Sequence, residues 1–182
     1  MFPLVLVALL IYTVAVSLLM NFHQRRFRHL KEETITDWVA EPERGEGEVG
    51  EIIRYTQDDV QKVDEVHSRF SEVIASRIPF FERRLVYLNT LVATAPLLGL
   101  LGTVMGMLMT FKGLSVGEGK LVDVVASGIS EALITTEMGL LIAVPGYFMA
   151  YVIKCRKNEY EAFLLRLESL TLQQFKRKEL AA

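Results

Sequence analysis

The sequence predicts an all-α membrane protein with three transmembrane helices and long helical extensions on the cytoplasmic side. Three observations support this fold class. The apolar residues, which make up 51% of the chain, are concentrated in three blocks, each long enough to cross a bilayer as a helix. The segments between the blocks are strongly charged, and their apolar residues recur at helical spacing. No segment shows the alternation of apolar and polar residues that is typical of strands.

The first predicted transmembrane helix covers residues 1–22 and contains no charged side chain. Four basic residues follow it, namely Arg25, Arg26, Arg28 and Lys31. A cleaved signal peptide has a different pattern, with positive charge before the apolar core and a small-residue cleavage site after it. We therefore interpret this block as an uncleaved anchor with its N-terminus in the periplasm and its basic end in the cytoplasm.

Two further transmembrane helices are predicted at 88–111 and 124–153, joined by a short connector at 112–123. Two arginines precede the second helix and three basic residues follow the third, whereas the connector carries two lysines and two acids. Because loops that are rich in Lys and Arg stay in the cytoplasm, this pattern predicts a periplasmic connector and a cytoplasmic C-terminus. All three blocks are consistent with one topology, which is N-out and C-in.

The remaining segments outside the bilayer are predicted to be cytoplasmic. Residues 23–50 comprise a basic segment and an acidic linker, and the Gly and Pro residues within 37–50 predict a flexible conformation. Residues 51–87 show apolar positions at spacings of three, four and seven, which predicts an amphipathic helix that Pro79 bends before the membrane. Residues 154–182 repeat this design and predict a cytoplasmic C-terminal helix.

The sequence contains no arrangement that is typical of an enzyme or of a cofactor site. Its three histidines are scattered among charged residues without the spacing of metal ligands, and its single cysteine fits neither a disulfide framework nor a zinc motif. No Gly-rich phosphate loop follows a strand. The basic residues of 25–31 are explained by membrane topology. We therefore expect no enzymatic activity, no cofactor, no metal and no nucleic-acid partner.

The second transmembrane helix carries a stripe of small and hydroxyl residues. At about 100° per residue, one arc of its helical wheel contains Ala95, Gly99, Gly102, Thr103, Gly106 and Thr110. The spacing of Gly102 and Gly106 lets helices approach closely, so we interpret the glycines as packing positions. Thr103 lies at the centre of the arc, where its hydroxyl either faces a polar lumen or bonds its own backbone. Thr110 is a further candidate for the lumen.

The third transmembrane helix carries a second stripe, which includes a carboxylate. One arc of roughly 140° on its wheel contains Gly128, Glu131, Ala132, Thr135, Thr136, Gly139, Ala143 and Gly146. A carboxylate at mid-span costs at least about 2.5–3.5 kcal/mol on insertion scales and usually faces a bundle interior or a wet path. We predict that Glu131, Thr135 and Thr136 line a proton pathway, and that Gly128 and Gly139 are helix-packing positions.

Glu137 falls on a different face of the third helix and cannot share a surface with Glu131. Its candidate partners are hydroxyl groups of the first span and of its own helix, namely Tyr12, Thr13, Ser17 and Ser130. A structural and a functional role for Glu137 are both open at this point.

The two stripes predict an assembly. One short polar stripe per chain does not form a pore, and the sequence contains no intramembrane Asp–Arg pair or His chain that could relay protons. Several copies around an axis, with their stripes inward around a helix of another protein and with lipid outside, would satisfy the polar groups.

Two segments also carry a family resemblance. APLLGLLGTVMGM (95–107) and GISEALITTEMGLLIAVPG (128–146) strongly resemble the ExbB/TolQ branch of the MotA/TolQ/ExbB proton-channel family, over about 83–153. The resemblance implies a homopentamer around two transmembrane helices of an ExbD/TolR-like single-span partner, in the inner membrane of a Gram-negative bacterium. It also implies use of the proton gradient to drive a TonB-like protein that energises import across the outer membrane. A TolQ-like role in the Tol-Pal system of envelope integrity is the related alternative, and a non-conducting helical scaffold is an alternative of another class.

The resemblance assigns roles residue by residue. Thr103, Glu131 and Thr136 match the positions of the family's pore residues. The resemblance places the titrating aspartate on the partner, which would supply the missing relay. Glu137 stands where well-known members carry a small residue, so the resemblance gives it no role.

Overall fold

The computed structural model describes residues 2–24, 32–60, 62–115 and 121–181, and these residues form no strand. The elements, in chain order, are α1 (Phe2–Gln24), α2 (Glu32–Ala40), a one-turn 3-10 helix (Pro42–Arg44), α3 (Gly47–Gln57), α4 (Val63–Ser115) and α5 (Leu121–Ala181). Three of the helices, α1, α4 and α5, are long and apolar enough to cross a membrane. The predictions of an all-α fold and of three candidate membrane-spanning helices are therefore confirmed.

The segment that was expected to be a flexible linker contains regular structure. Residues 37–50 include the end of α2, the 3-10 helix and the start of α3. The glycines allow a close turn here, because a Cβ added to Gly45 would lie 2.7 Å from the Cα atom of Gly50. The Gly residues that suggested flexibility thus permit a close approach of two backbone segments.

The amphipathic helix that was predicted over 51–87 is divided between two helices. α3 ends at Gln57, and α4 begins at Val63 and continues through Pro79 into the second apolar block. Between them Asp59 adopts the left-handed conformation, with φ of 47°. Aspartate is one of the few residues other than glycine that tolerate this region, and the helical path ends there.

The chain forms two compact units. The span unit contains Met1–Ser17 and Arg84–Ile153. Its interior is built from small and β-branched residues of α4 and α5 together with a few side chains of α1, and its buried positions include Ile11, Ala15, Val92, Ala95, Ala132, Ala143 and Ala150. Small residues at helix contacts let backbones approach closely, as is usual in membranes.

The extension unit contains Leu18–Arg83 and Lys154–Ala182. Its interior has the larger side chains of a water-soluble helical core, which include Val39, Ile53, Phe70, Phe81, Tyr160, Leu164 and Leu167. The rings of Phe81 and Tyr160 pack edge to face, with centroids 6.2 Å apart. This unit therefore owes its packing to hydrophobic burial rather than to small-residue contact.

Candidate functional site

The candidate site is built on the antiparallel contact of α4 with α5 in the span unit. Gly99 lies against Gly139, and Gly106 lies against Ala132 and Gly128. A Cβ added to Gly139 would lie 2.8 Å from the carbonyl oxygen of Ala95, closer than real Cβ atoms approach. The helices therefore meet backbone to backbone, and the two stripes of small residues face each other within one chain.

Two threonines fill the spaces that the glycines leave. The side chain of Thr135 occupies the position that a Cβ on Gly102 would need, and the hydroxyl of Thr110 does the same at Gly128. Thr110 is buried, and its hydroxyl donates to the carbonyl oxygen of Gly106 at 2.9 Å. Thr110 thus lies inside the α4–α5 contact.

The remaining threonine hydroxyls bond to backbone carbonyl groups. Thr135 Oγ1 lies 2.7 Å from the oxygen of Ala132 and 3.3 Å from that of Gly99. Thr136 Oγ1 also lies 3.3 Å from the oxygen of Gly99, and Thr103 Oγ1 donates to the oxygen of Leu100 at 2.7 Å. Each hydroxyl oxygen keeps lone pairs that can accept a further hydrogen bond.

Thr103 and Thr136 lie on one edge of the α4–α5 contact, and Glu131 lies on the other. On α4, Gly102 and Thr103 are about 100° apart and flank the centre of the contact, so the expectation that Thr103 lies at the centre of its stripe is wrong. Gly102 meets Thr135, which is on the Glu131 side of α5, so Thr103 is on the Thr136 side. The contact therefore brings the two threonines of the family motif to a common edge and separates them from the glutamate of that motif.

Glu131 and Glu137, the two glutamates within the apolar stretch of α5, are both exposed in the single chain. Neither Glu131 nor Glu137 forms a hydrogen bond or an ion pair with any residue that the structure describes. None of the hydroxyl groups that were expected to pair with Glu137 forms a hydrogen bond with it. Thr13 donates to the backbone of its own helix, and Ser17 accepts from Arg84 at 3.4 Å.

The position of α1 explains why its hydroxyl groups do not meet Glu137. Ile11 of α1 lies against Gly146 of α5, which is nine residues beyond Glu137 and so about 13 Å further along the helix. Tyr12, which follows Ile11, is at a similar distance. The expectation of a contact between these spans at Glu137 is wrong within one chain.

The outer faces of α4 and α5 are strongly apolar and uncovered within the chain. Exposed large side chains of these faces include Leu97, Leu100, Leu101, Val104, Leu108, Leu133, Leu140, Leu141, Val144 and Phe148. Exposed apolar area of this extent marks contact with lipid or with other protein.

The extension unit contains polar contacts that no pattern in the sequence indicates. Lys157 Nζ lies 2.9 Å from carboxylate oxygens of both Glu82 and Glu161, and His67 Nδ1 meets the nearly buried carboxylate of Glu168. The side chain of His67 is itself 68% exposed. Its partner is 101 residues away, and neither residue lies in a motif that could have signalled the pairing.

The sequence profile of the MotA/TolQ/ExbB proton channel family matches residues 44–164, which is about two thirds of the chain. The match includes α4 and the part of α5 that carries Glu131, Thr135 and Thr136. It extends beyond the two motifs noted above into α3 and the extension unit.

Several curated proteins are similar to part of this chain. A biopolymer transport protein ExbB-like 3 of Synechocystis is 36% identical over 81 residues, which are 43% of this chain and 39% of that protein. The Tol-Pal system protein TolQ of Haemophilus influenzae is 37% identical over 46% of this chain and 37% of its own length. The biopolymer transport protein ExbB of Salmonella typhimurium is 37% identical over 43% of this chain and 32% of its own length. The chain thus spans less than half the length of these relatives.

Proposed function

Because the chain belongs to the MotA/TolQ/ExbB proton channel family, we propose that it is the channel-forming subunit of a proton-driven motor in the bacterial inner membrane. With an ExbD-like single-span partner, the motor energises TonB-dependent import across the outer membrane. The main support for the proposal is that Thr103 and Thr136 lie on a common edge of the α4–α5 contact. Both residues carry a hydroxyl group, and both match positions of the family motif.

The proposed assembly places this edge around the partner. Five copies surround two partner helices, and the Thr103–Thr136 edge of each copy faces the lumen. The exposed apolar faces of α4 and α5 support contact with neighbouring copies and with lipid. N-out and C-in topology follows from the distribution of Lys and Arg around the three helices.

The proposed mechanism uses the hydroxyl groups as hydrogen-bonding partners of the partner's aspartate. The hydroxyl of Thr136 donates a hydrogen bond to the Gly99 carbonyl oxygen, with an O–O distance of 3.3 Å. This bond is long, and a hydrogen bond to a carboxylate oxygen at about 2.5–2.7 Å would readily replace it. Proton passage neutralises and recharges the aspartate, and the partner helices move from one copy to the next. Glu131 lies on the other edge, so it acts on the pathway through its charge or from a neighbouring copy.

The test is proton flux into vesicles that contain the chain and its single-span partner. Thr136→Val and Thr103→Val remove one hydroxyl each at nearly constant volume. We expect flux to fall by roughly 10–100-fold, the equivalent of about 1.5–3 kcal/mol for a hydrogen bond to a charged group. Thr90→Val is the matched control, because Thr90 is an exposed threonine of α4 whose hydroxyl bonds Val86. Equal flux in all three variants contradicts the proposal.

Glu131 has its own test in cells. Growth on an iron source that requires TonB is compared for Glu131→Ala and wild-type chains at equal protein levels. The proposal expects impaired growth, and unimpaired growth removes Glu131 from the mechanism. A TolQ-like role is the second candidate, since TolQ and ExbB relatives match at the same 37% identity. In that case loss of the gene produces a leaky envelope while TonB-dependent growth is retained.

The subunit count is tested by the native mass of the complex. Five copies of the 20.6 kDa chain with two partner chains are expected. A scaffold without a channel function predicts no single-span partner with an intramembrane aspartate and no dependence on the proton gradient.

A further inference from the structure

Glu137 is the carboxylate for which neither the family motif nor the single chain offers a partner. It lies on the face of α5 that points away from α4, about 160° around the helix from Gly139. Its neighbours on this face are all at least half exposed and apolar, namely Leu133, Leu140, Leu141, Val144 and Phe148. The carboxyl group therefore lies within an open and mainly apolar surface, which it shares with the exposed hydroxyl of Ser130 two turns away.

Lipid alone is a poor cover for this surface. Glu137 is about 18 Å along the helix from Val125 and about 24 Å from Ile153, the ends of the apolar stretch. A glutamate side chain is too short to reach either membrane surface from there. Burial of its charge in hydrocarbon is unfavourable, and such residues almost always face protein or a water-filled cavity.

The span unit has a second open face at the same height, on α4. Leu97, Leu100 and Val104 recur at spacings of three and four, and they are 63%, 58% and 51% exposed. Because Gly102 lies against Thr135, Leu100 is within about 2 Å of the height of Glu137 along the helix axes.

Thr103 is next to this α4 face and is about 4 Å from the height of Glu137. Its hydroxyl proton is directed to Leu100, so its oxygen can accept a hydrogen bond from a protonated carboxyl group. Asn89, an exposed polar residue of α4, is eleven residues from Leu100 and so about 17 Å away along the axis. Thr103 is thus the better placed of these two polar groups.

We infer that Glu137 lies at the contact between α5 of one copy of this chain and α4 of the next copy. Leu97, Leu100 and Val104 of the neighbouring copy cover the apolar residues around it, and Thr103 of that copy is its polar neighbour. The contact joins two different surfaces, and a contact of this kind forms a ring when its rotation closes. The inference rests on the proposed assembly of several copies. It adds the carboxyl group of Glu137 next to the Thr103–Thr136 edge of the neighbouring copy.

Disulfide cross-linking tests the contact directly, because a disulfide requires Cα atoms within about 7 Å. In a Cys155→Ser background, the pair Glu137→Cys and Leu100→Cys should form covalent dimers and larger species on oxidation of membranes. The pair Glu137→Cys and Leu108→Cys is the control for height, since Leu108 is about 12 Å further along α4. The pair Glu131→Cys and Leu100→Cys is a second control, since Glu131 lies on another face of α5 and about 9 Å from the height of Glu137.

Strong cross-linking of the Glu137–Leu100 pair, with little in either control, is the expected result. Cross-linking no stronger than that of the controls overturns the inference. The pair Leu133→Cys and Val104→Cys, whose two positions lie at nearly the same height, repeats the test if Leu100→Cys is poorly produced. Native mass under reducing conditions separates the two proposals. An oligomer without this cross-link contradicts the contact alone, whereas a single-chain mass contradicts the proposed assembly as well.

Discussion

Two residues of the span unit, Gly102 and Thr135, show how closely residue size is matched between α4 and α5. Thr135 occupies the space beside Gly102 and bonds the carbonyl group of Ala132, while it reaches the backbone of α4 at Gly99. A methyl group at position 102 has no room unless Thr135 moves. A side chain at position 102 would therefore compete with Thr135 for the same space.

Gly102→Ala is expected to destabilise the span unit by roughly 1–3 kcal/mol, because it overpacks the contact at Thr135. Thr135→Ala, which removes the obstructing side chain, should recover part of this loss in the double variant. Thermal unfolding in detergent measures both, and Leu101→Ala, at an exposed neighbouring position, is the control. Purely additive effects of the two substitutions would mean that the residues do not compete for space.

Tyr55 gives a pH prediction outside the membrane. Its hydroxyl donates to Glu72 at 2.7 Å, and this hydrogen bond raises the pKa of Tyr55 above its ordinary value, with a smaller opposing effect from Arg69. Since the folded pKa is raised, the contribution of the bond to stability is complete below the ordinary tyrosine pKa and is lost as pH rises through the folded pKa.

The ionisation of Tyr55 is measured as the difference in tyrosinate absorbance between the wild type and Tyr55→Phe during a pH titration. In a Glu72→Gln background the titration should shift to lower pH, because the carboxylate that disfavours the phenolate is absent. An unchanged titration would show that the Glu72 hydrogen bond does not determine the pKa.

At the scale of elements, α3 is joined to both long helices of the extension unit through Glu48. Arg77 of α4 donates to a carboxylate oxygen of Glu48, and the hydroxyl of Tyr160 on α5 donates to the same oxygen at 3.3 Å. Tyr160 is almost completely buried, and Ile53 and Val49 of α3 are buried as well. The polar contact thus complements an apolar one.

Glu48→Ala should weaken the docking of α3 by roughly 1–3 kcal/mol, because it leaves Arg77 and Tyr160 without this acceptor. Amide hydrogen exchange across 47–57 should then become at least several-fold faster, since local opening governs protection. Glu46→Ala is the control, because Glu46 is exposed and its side chain makes no capping bond. Equal exchange in the two variants would show that apolar burial alone holds α3.

The folding of 37–50 illustrates where sequence patterns are insufficient for an element. Acidic residues with Gly and Pro predicted a flexible linker, yet the segment contains helical turns. Ile35 and Val39 on α2, and Val49 and Ile52 on α3, are too few and too widely spaced to indicate an amphipathic helix by themselves. Their burial in the extension unit compensates for the low helix propensity of the segment.

At the scale of the whole molecule, the charge distribution predicts which side of the membrane each segment occupies. An excess of basic residues flanks the three apolar helices on one side only, because the two lysines of the connector at 112–123 are balanced by two acids. This topology is a property of the chain as a whole, since each helix constrains the orientation of the next.

Single cysteines in a Cys155→Ser background test the topology. A membrane-impermeant maleimide should label Ser115→Cys in spheroplasts, whereas Lys176→Cys should react only in inside-out vesicles. The two positions lie on either side of the third span, so they are each other's control. Labelling of Lys176→Cys in spheroplasts, as strong as that of Ser115→Cys, would reverse the proposed orientation.

The sequence by itself determined the fold class, the number of candidate spans and the family. The reason is that length, hydropathy and local motifs depend on neighbouring residues along the chain. The helical wheel also separated Glu131 from Glu137 and placed Glu131 and Thr136 at opposite edges of one arc, because helix geometry converts spacing into direction.

Only the tertiary structure decided that the small-residue stripe of α4 packs against the stripe of α5 within one chain. It placed Thr135 and Thr110 within the contact of α4 with α5, and it placed Thr103 beside Thr136 on an open edge. These positions depend on the register between α4 and α5. Backbone contact at the glycines sets this register, and no local sequence pattern specifies it. The pairing of α3 with residues far along the chain has the same origin, since burial brings together groups that the sequence separates.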